Sequence, residues 1–217
     1  NKFAEPRLDG VFNRKSGRRL AACVPMHTFG LPCRIAEIVT ICEEYGIPVV
    51  EDAAESLGSS VGDQHTGSFG TLGTFSFNGN KVITTGGGGM IVTNDEALAL
   101  RAKHITTTAK VPHAWEFVHD EVGYNYRLPN LNAALGCAQM ERLPEMLAIK
   151  SEIASRYAAL LEGSPLELVQ PLPGTTANNW LNAVLLENRG ARVNSLWLED
   201  RLVNLPSSVP EGALGKL

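Results

Sequence analysis

Residues 20–52 read LAACVPMHTFGLPCRIAEIVTICEEYGIPVVED. Leu20 to Met26 is apolar and bounded by Arg18-Arg19 and His27, the pattern of a buried strand. Ile35, Ile38, Val39 and Cys42 then recur at i, i+3, i+4 and i+7, the stripe of an amphipathic helix, and Gly46 followed by Pro48 stops it after Tyr45. Ile47-Pro48-Val49-Val50 forms a second short strand that ends at Glu51-Asp52. Strand, helix and strand at this spacing make a βαβ unit, whose strands lie parallel and whose crossover is right-handed. Asp52 thereby falls at the carboxyl end of a strand, where open α/β sheets bind ligands; the plainer alternative is a helix N-cap.

Outward from this unit, Val11 to Gly17 is hairpin-like, Thr74-Phe75-Ser76-Phe77 is another strand, and Met90-Ile91-Val92-Thr93 is its hairpin partner across the turn-rich Thr84 to Gly89. Asn94-Asp95-Glu96 opens a helix that runs to about Thr106, with a cap and acids in its first turn. A helical zone covers Leu131 to Glu141, is interrupted by Pro144, and resumes from Ile149 to Leu161. Leu166 to Val169 and Trp180 to Leu186 are strand-like. Alternating strands and helices of this kind predict an α/β fold with a mostly parallel central sheet.

Composition narrows the function classes. The 217 residues are 44% hydrophobic and 19% charged, enough for a sizeable core. The net charge is −4 and the longest Lys/Arg run is Arg18-Arg19, which argues against a nucleic-acid or anionic-membrane partner. Cys23, Cys33, Cys42 and Cys137 show no CxxC spacing, so they fit reduced thiols of a cytoplasmic protein better than disulfides or a zinc site. No stretch approaches the length of a membrane span, and the first 25 residues lack the order of a signal peptide.

The densest chemistry is Ser76-Phe77-Asn78-Gly79-Asn80-Lys81, followed by Thr84-Thr85-Gly86-Gly87-Gly88-Gly89. Four glycines weaken any regular element, so their presence implies a close backbone approach or left-handed turns. A lysine beside glycines is by itself a weak signal, since most lysines are solvated. Asp52 changes its weight. A lysine amine and a carboxylate on neighbouring strand ends suit pyridoxal 5'-phosphate, which needs a carboxylate against its pyridine nitrogen and an amine for its aldehyde. Ser76 can offer a hydroxyl to the phosphate.

Val49-Val50-Glu51-Asp52-Ala53-Ala54-Glu55-Ser56, the Phe75 to Lys81 segment, the glycine run and Gly123-Tyr124-Asn125-Tyr126-Arg127-Leu128 resemble, in order and spacing, successive motifs of the DegT/StrS family of nucleotide-sugar aminotransferases. The resemblance is dense from Val11 to Gly163 and returns in Asn204-Leu205-Pro206-Ser207-Ser208. It implies the fold-type-I architecture of aspartate aminotransferase, a homodimer with shared active sites, and transfer of an amino group from glutamate to a keto-sugar nucleotide. Lys81 would be the Schiff-base lysine, Asp52 the partner of the pyridine nitrogen, Ser76 a phosphate ligand, and Glu55 a contact of the ring's 3-hydroxyl, where the family commonly has Gln or His. Asn125 would reach the phosphate of the other subunit's cofactor, with Tyr126 and Arg127 facing that shared site; a turn residue and a surface ion pair are the plainer readings of Asn125 and Arg127. His27 stands between a place near the cofactor and a satisfied core histidine.

His113 to Glu121 is similar to the subgroup that makes precursors of bacillosamine and legionaminic acid, whose acceptor is a nucleotide-linked 4-keto-6-deoxy-N-acetylhexosamine; a dimer-interface loop fits the same residues. The resemblance further implies that residues 1–145 are part of a large cofactor-binding domain with more sequence before Asn1. Residues 146–217 would be part of a small carboxyl-terminal domain, shortened between Leu186 and Asn204. A non-enzymatic alternative is a cofactor-binding regulator, or an inactive fragment, of the same fold.

Overall fold

A computed structural model describes residues 3–186 and the backbone of residues 202–205. The chain opens with a hairpin, β1 (Ala4–Arg7) against β2 (Gly10–Asn13), and residues 14–17 turn it back toward Arg19. Leu20 to Met26, expected as a strand, makes only isolated parallel bridges, Cys23 with Val49 and Met26 with Asp52. Pro25 lies between them and has no N–H to donate, which breaks the ladder. Its carbonyl still accepts from the Asp52 N–H at 2.9 Å.

Helix α1 (Ile35–Glu44) follows, and its apolar stripe is the reason it forms: Ile35 and Cys42 are buried with Val49, and Ile38, Val39, Ile47 and Phe69 pack around them. Full burial of Ile35 contributes about 1.5–3 kcal/mol. Gly46 ends the helix in a left-handed step at φ +61°. The chain then enters β3 (Val50–Asp52), the two-residue strands β4 (Ser60–Val61) and β5 (Gln64–His65), β6 (Leu72–Ser76) and β7 (Gly89–Val92). The central sheet has the order β3-β6-β7, with β3 and β6 parallel and β6 and β7 antiparallel. Asp52 pairs with Thr74, so the carboxyl ends of β3 and β6 lie side by side.

Helix α2 (Glu96–Thr106) carries the expected cap, Asp95 accepting from the Leu98 N–H at 3.0 Å. Helices α3 (Asn130–Glu141) and α4 (Leu143–Leu161) follow. The expected interruption falls at Arg142, between α3 and α4, and the helix resumes at Leu143 rather than Ile149; Pro144 occupies the first turn of α4, where its missing N–H has no intrahelical acceptor to lose. Leu143 is buried with Phe77 and Ile83, and Met146 and Leu147 pack on the same cluster, so the anticipated division after residue 145 falls within α4.

Strands β8 (Leu166–Leu168), β9 (Thr175–Thr176), β10 (Asn182–Leu186) and β11 (Leu202–Leu205) complete the described chain. β10 pairs with β8 and β11, while β9 joins β4 and draws the chain back to the turn after β3. Residues 187–201, where the shortened domain was anticipated, and 206–208 of the last motif lie outside the described residues. No described helix is long and apolar enough to cross a membrane.

Candidate active site

Strand alternation sends the two acids of β3 to opposite faces. Glu51 is fully buried. Its carboxylate accepts from the N–H groups of Gly67 (2.8 Å), Phe69 (2.6 Å) and Gly70 (2.7 Å), and lies 3.0 Å from His27 Nε2. Burial alone would raise its pKa, yet the His27 contact and the three amides outweigh it and hold the carboxyl below its ordinary range. His27 is equally buried, with the Cys33 N–H aimed at Nδ1 at 3.2 Å. Burial opposes the imidazolium and Glu51 favours it, and the Cys33 N–H at Nδ1 decides between them by occupying the position that a second proton would need. A second proton on Nδ1 would meet the Cys33 N–H, so we place the single proton on Nε2, donated to Glu51. Of the two readings of His27, this placement matches the core histidine; a fully buried ring offers no surface to a substrate.

Asp52, on the other face, is half-buried, and its Oδ1 accepts from the Ala54 N–H at 3.1 Å. Its second oxygen takes no hydrogen bond among the described residues. Glu55, on the turn beyond, accepts the Phe29 N–H at 2.8 Å through Oε2 and holds Lys81 Nζ at 3.6 Å through Oε1. Phe29 is held at φ +60°, a left-handed conformation that aims its N–H at Glu55.

Lys81 sits on the loop between β6 and β7, which Phe77 and Ile83 anchor in the core on either side. Its N–H donates to the Asn78 carbonyl at 3.1 Å, and its side chain is only 14% exposed, between Glu55 and the Trp180 indole, whose centroid is 4.0 Å from Nζ. α3 buttresses the far side: Gln139 Oε1 accepts the Thr84 N–H at 2.8 Å, and Asn132 donates to the Thr85 carbonyl. Ser76 ends β6, and its Oγ accepts from the Asn78 N–H at 3.3 Å, which leaves its hydroxyl proton free to donate.

The glycine run meets a need within the protein. Gly86 and Gly88 adopt φ +80° and +111°, and a Cβ on Gly89 would fall 2.4 Å from the Phe75 carbonyl oxygen. The run therefore folds β7 tightly back onto β6.

Asp52, Glu55 and Lys81 thus share the edge where β3 and β6 end. Asn125, Tyr126 and Arg127 do not join them. Asn125 is exposed and bridges Thr107 beside α2, and Tyr126 stacks on Tyr124 with ring centroids 5.3 Å apart. Tyr126 and Arg127 line a cavity of about 1020 Å³ bounded by β7, α2 and the start of α3, which includes none of Asp52, Glu55 and Lys81. That cavity is mainly apolar and holds no acid–amine pair, so we locate the site by its chemistry rather than by the volume. Sequence reasoning missed Trp180, Asn178 and Glu51. Two asparagines before an aromatic, and an acid directly after the apolar Val49-Val50, were the available signals.

The residues present fit pyridoxal 5'-phosphate: Asp52 keeps an open carboxylate oxygen for a protonated ring nitrogen, Glu55 stands beside it, and Lys81 offers a partly enclosed amine. Comparison with known proteins bears on this directly. The model of the DegT/DnrJ/EryC1/StrS aminotransferase family matches residues 12–202. EpsN of Bacillus subtilis (strain 168) is 42% identical over 178 residues, 81% of this chain and 45% of that protein. GDP-perosamine synthase of Vibrio cholerae is 36% identical over 174 residues, 80% of this chain and 47% of that one. The crystal structure of the aminotransferase TlmJ from Streptoalloteichus hindustanus matches 80% of this chain and 48% of its own, with a TM-score of 0.75 at 34% identity. The chain spans about half the length of these relatives.

Proposed function

From the premise that the chain belongs to the DegT/DnrJ/EryC1/StrS aminotransferase family, with its fold-type-I architecture and pyridoxal 5'-phosphate as cofactor, we propose that it catalyses amino transfer to a nucleotide-linked keto-sugar, with glutamate as donor. The observation that carries this reading is the Lys81 amine, enclosed beside Glu55 at the strand edge that also bears Asp52. When bound, the cofactor supplies an aldehyde that accepts the amino group and a ring that withdraws electrons from the substrate carbon. Asp52 keeps the ring nitrogen protonated. Glu55 orients the amine, and Lys81 Nζ, as free base, moves the proton to and from the reacting carbon. Ser76 donates to the phosphate.

The acceptor we favour is a nucleotide-linked 4-keto-6-deoxy-N-acetylhexosamine of surface or glycoprotein glycan synthesis. The His113 to Glu121 segment supports it, with Trp115 and Phe117 exposed in the manner of a sugar-facing or interface loop. The similarity to GDP-perosamine synthase supports a nucleotide sugar in general. Asn125, Tyr126 and Arg127 lie apart from Lys81 within one chain. We therefore assign them to the site of a second subunit in a cytoplasmic homodimer, Asn125 at its phosphate and the other two toward its substrate.

The test uses full-length protein loaded with the cofactor. A visible band that glutamate bleaches, followed by amination of at least one member of a keto-sugar nucleotide panel, is expected. Lys81→Ala should abolish both while leaving the fold intact. Turnover of no keto-sugar nucleotide, with the band present, would sink the substrate assignment.

A further inference from the structure

One side chain, distant in sequence, touches both Lys81 and the residue before it, Asn80. The Trp180 indole face lies 4.0 Å from Nζ, and the same ring donates its Nε1–H to the Asn80 carbonyl at 2.6 Å. That carbonyl belongs to the peptide bond leading into Lys81. One rigid plane therefore contacts the Lys81 amine and the Asn80 carbonyl of the peptide link that leads into it. An ammonium over an indole face is drawn to the ring quadrupole, most strongly where water is excluded.

The indole is brought there by a buried asparagine. Asn178 is 2% exposed and donates Nδ2–H to the carbonyls of Glu55 (2.8 Å) and Leu57 (2.9 Å). Its own N–H donates to Ser59 Oγ at 2.9 Å, and its Oδ1 accepts the Trp180 N–H at 2.8 Å. Asn179 then takes a left-handed step at φ +51°, which turns the chain so that Trp180 is buried. The seat for Asn178 exists because residue 30 is glycine: a Cβ there would fall 1.8 Å from Asn178 Oδ1. Asn178 thus fixes Trp180 to the very turn that carries Glu55, the ion-pair partner of Lys81.

We propose that Trp180 is a positioning residue for Lys81: its face and its N–H hold the amine against Glu55 whenever Nζ is not bonded to the cofactor. The side chain of lysine has four rotatable bonds, and without this seat it would sample solvent between turnovers. The inference rests on the assignment of Lys81 as the cofactor-bearing lysine.

The test compares Trp180→Phe, which keeps a face and removes the N–H, with Trp180→Leu, which removes both. The full-length protein is first freed of cofactor and acetylated under limiting reagent, and each lysine is quantified by peptide mass spectrometry with Lys103 and Lys110 as references. Relative to wild type, Lys81 should react roughly tenfold faster in Trp180→Leu and about twofold faster in Trp180→Phe. In the reloaded enzyme both variants should lower kcat while leaving KM for glutamate near the wild-type value. Lys81 labelling and kcat unchanged in both variants would overturn the proposal. If Trp180→Leu does not fold, Trp180→Phe alone decides by the same criterion. A wild-type protein that takes up no cofactor on Lys81 would instead overturn the assignment of that lysine, and the labelling would still report whether Trp180 seats it.

Discussion

Glu51 and Asp52 are neighbours on one strand, carry the same charge, and have opposite fates. Glu51 faces a closed side, where three backbone N–H groups and His27 satisfy its carboxylate. Asp52 faces the open side, where one backbone N–H holds one oxygen. A saturated buried acid has no capacity left for a ligand and serves to pin the 67–70 loop to β3. An acid held by one bond is oriented yet available. Saturation by backbone N–H groups marks the structural acid, while the proposed cofactor contact rests on the acid left partly open.

The largest effect that separates the two should follow Glu51→Gln. The amide replaces an acceptor with a donor facing backbone N–H groups, and removing the charge leaves His27 without its carboxylate. A loss of about 3–5 kcal/mol of stability, read by denaturant unfolding, is expected. Asp52→Asn should leave stability nearly unchanged and lower kcat at least roughly a hundredfold, since the ring nitrogen loses its carboxylate. Equal melting losses in the two variants would erase the distinction.

Gly30→Ala probes the link between the closed frame and the open edge. The residue sits at φ +84°, and the new methyl would collide with Asn178, so a loss of about 1–3 kcal/mol is expected, accompanied by a changed Trp180 fluorescence environment. The smallest effect is a pH dependence. Because the folded Glu51 carboxyl titrates below its ordinary value of 4.5, its contribution is present above that value and is lost as pH falls through the folded pKa. Thermal melting followed from neutral to acid pH should therefore show a decline that flattens in Glu51→Gln.

Much of this was legible in residues 20–52, because an apolar stripe at helical spacing and strand residues on either side leave few alternatives. Asp52 at a strand end, and Lys81 after β6, followed from the same pattern. Leu20 to Met26 was not legible as it stands: its composition is that of a strand, and Pro25 prevents continuous pairing. Pro144 rightly marked a break between two helices but not its place, since proline is tolerated in a first turn and the second helix begins one residue before it. Trp180 and Asn178 could not be placed because their partners are more than 90 residues distant, and nothing in local spacing encodes a contact closed by β9 pairing with β4. Glu51 was overshadowed by Asp52, since no periodicity distinguishes which of two adjacent acids faces the loop that saturates it.

The most direct measurement is borohydride reduction of the full-length protein loaded with pyridoxal 5'-phosphate, followed by peptide mass mapping. A cofactor mass increment on the peptide containing Lys81, lost in Lys81→Ala and retained in Asp52→Asn, is expected. An increment on a different lysine, or none, would contradict the assignment of the open side of β3 and β6 as the active site.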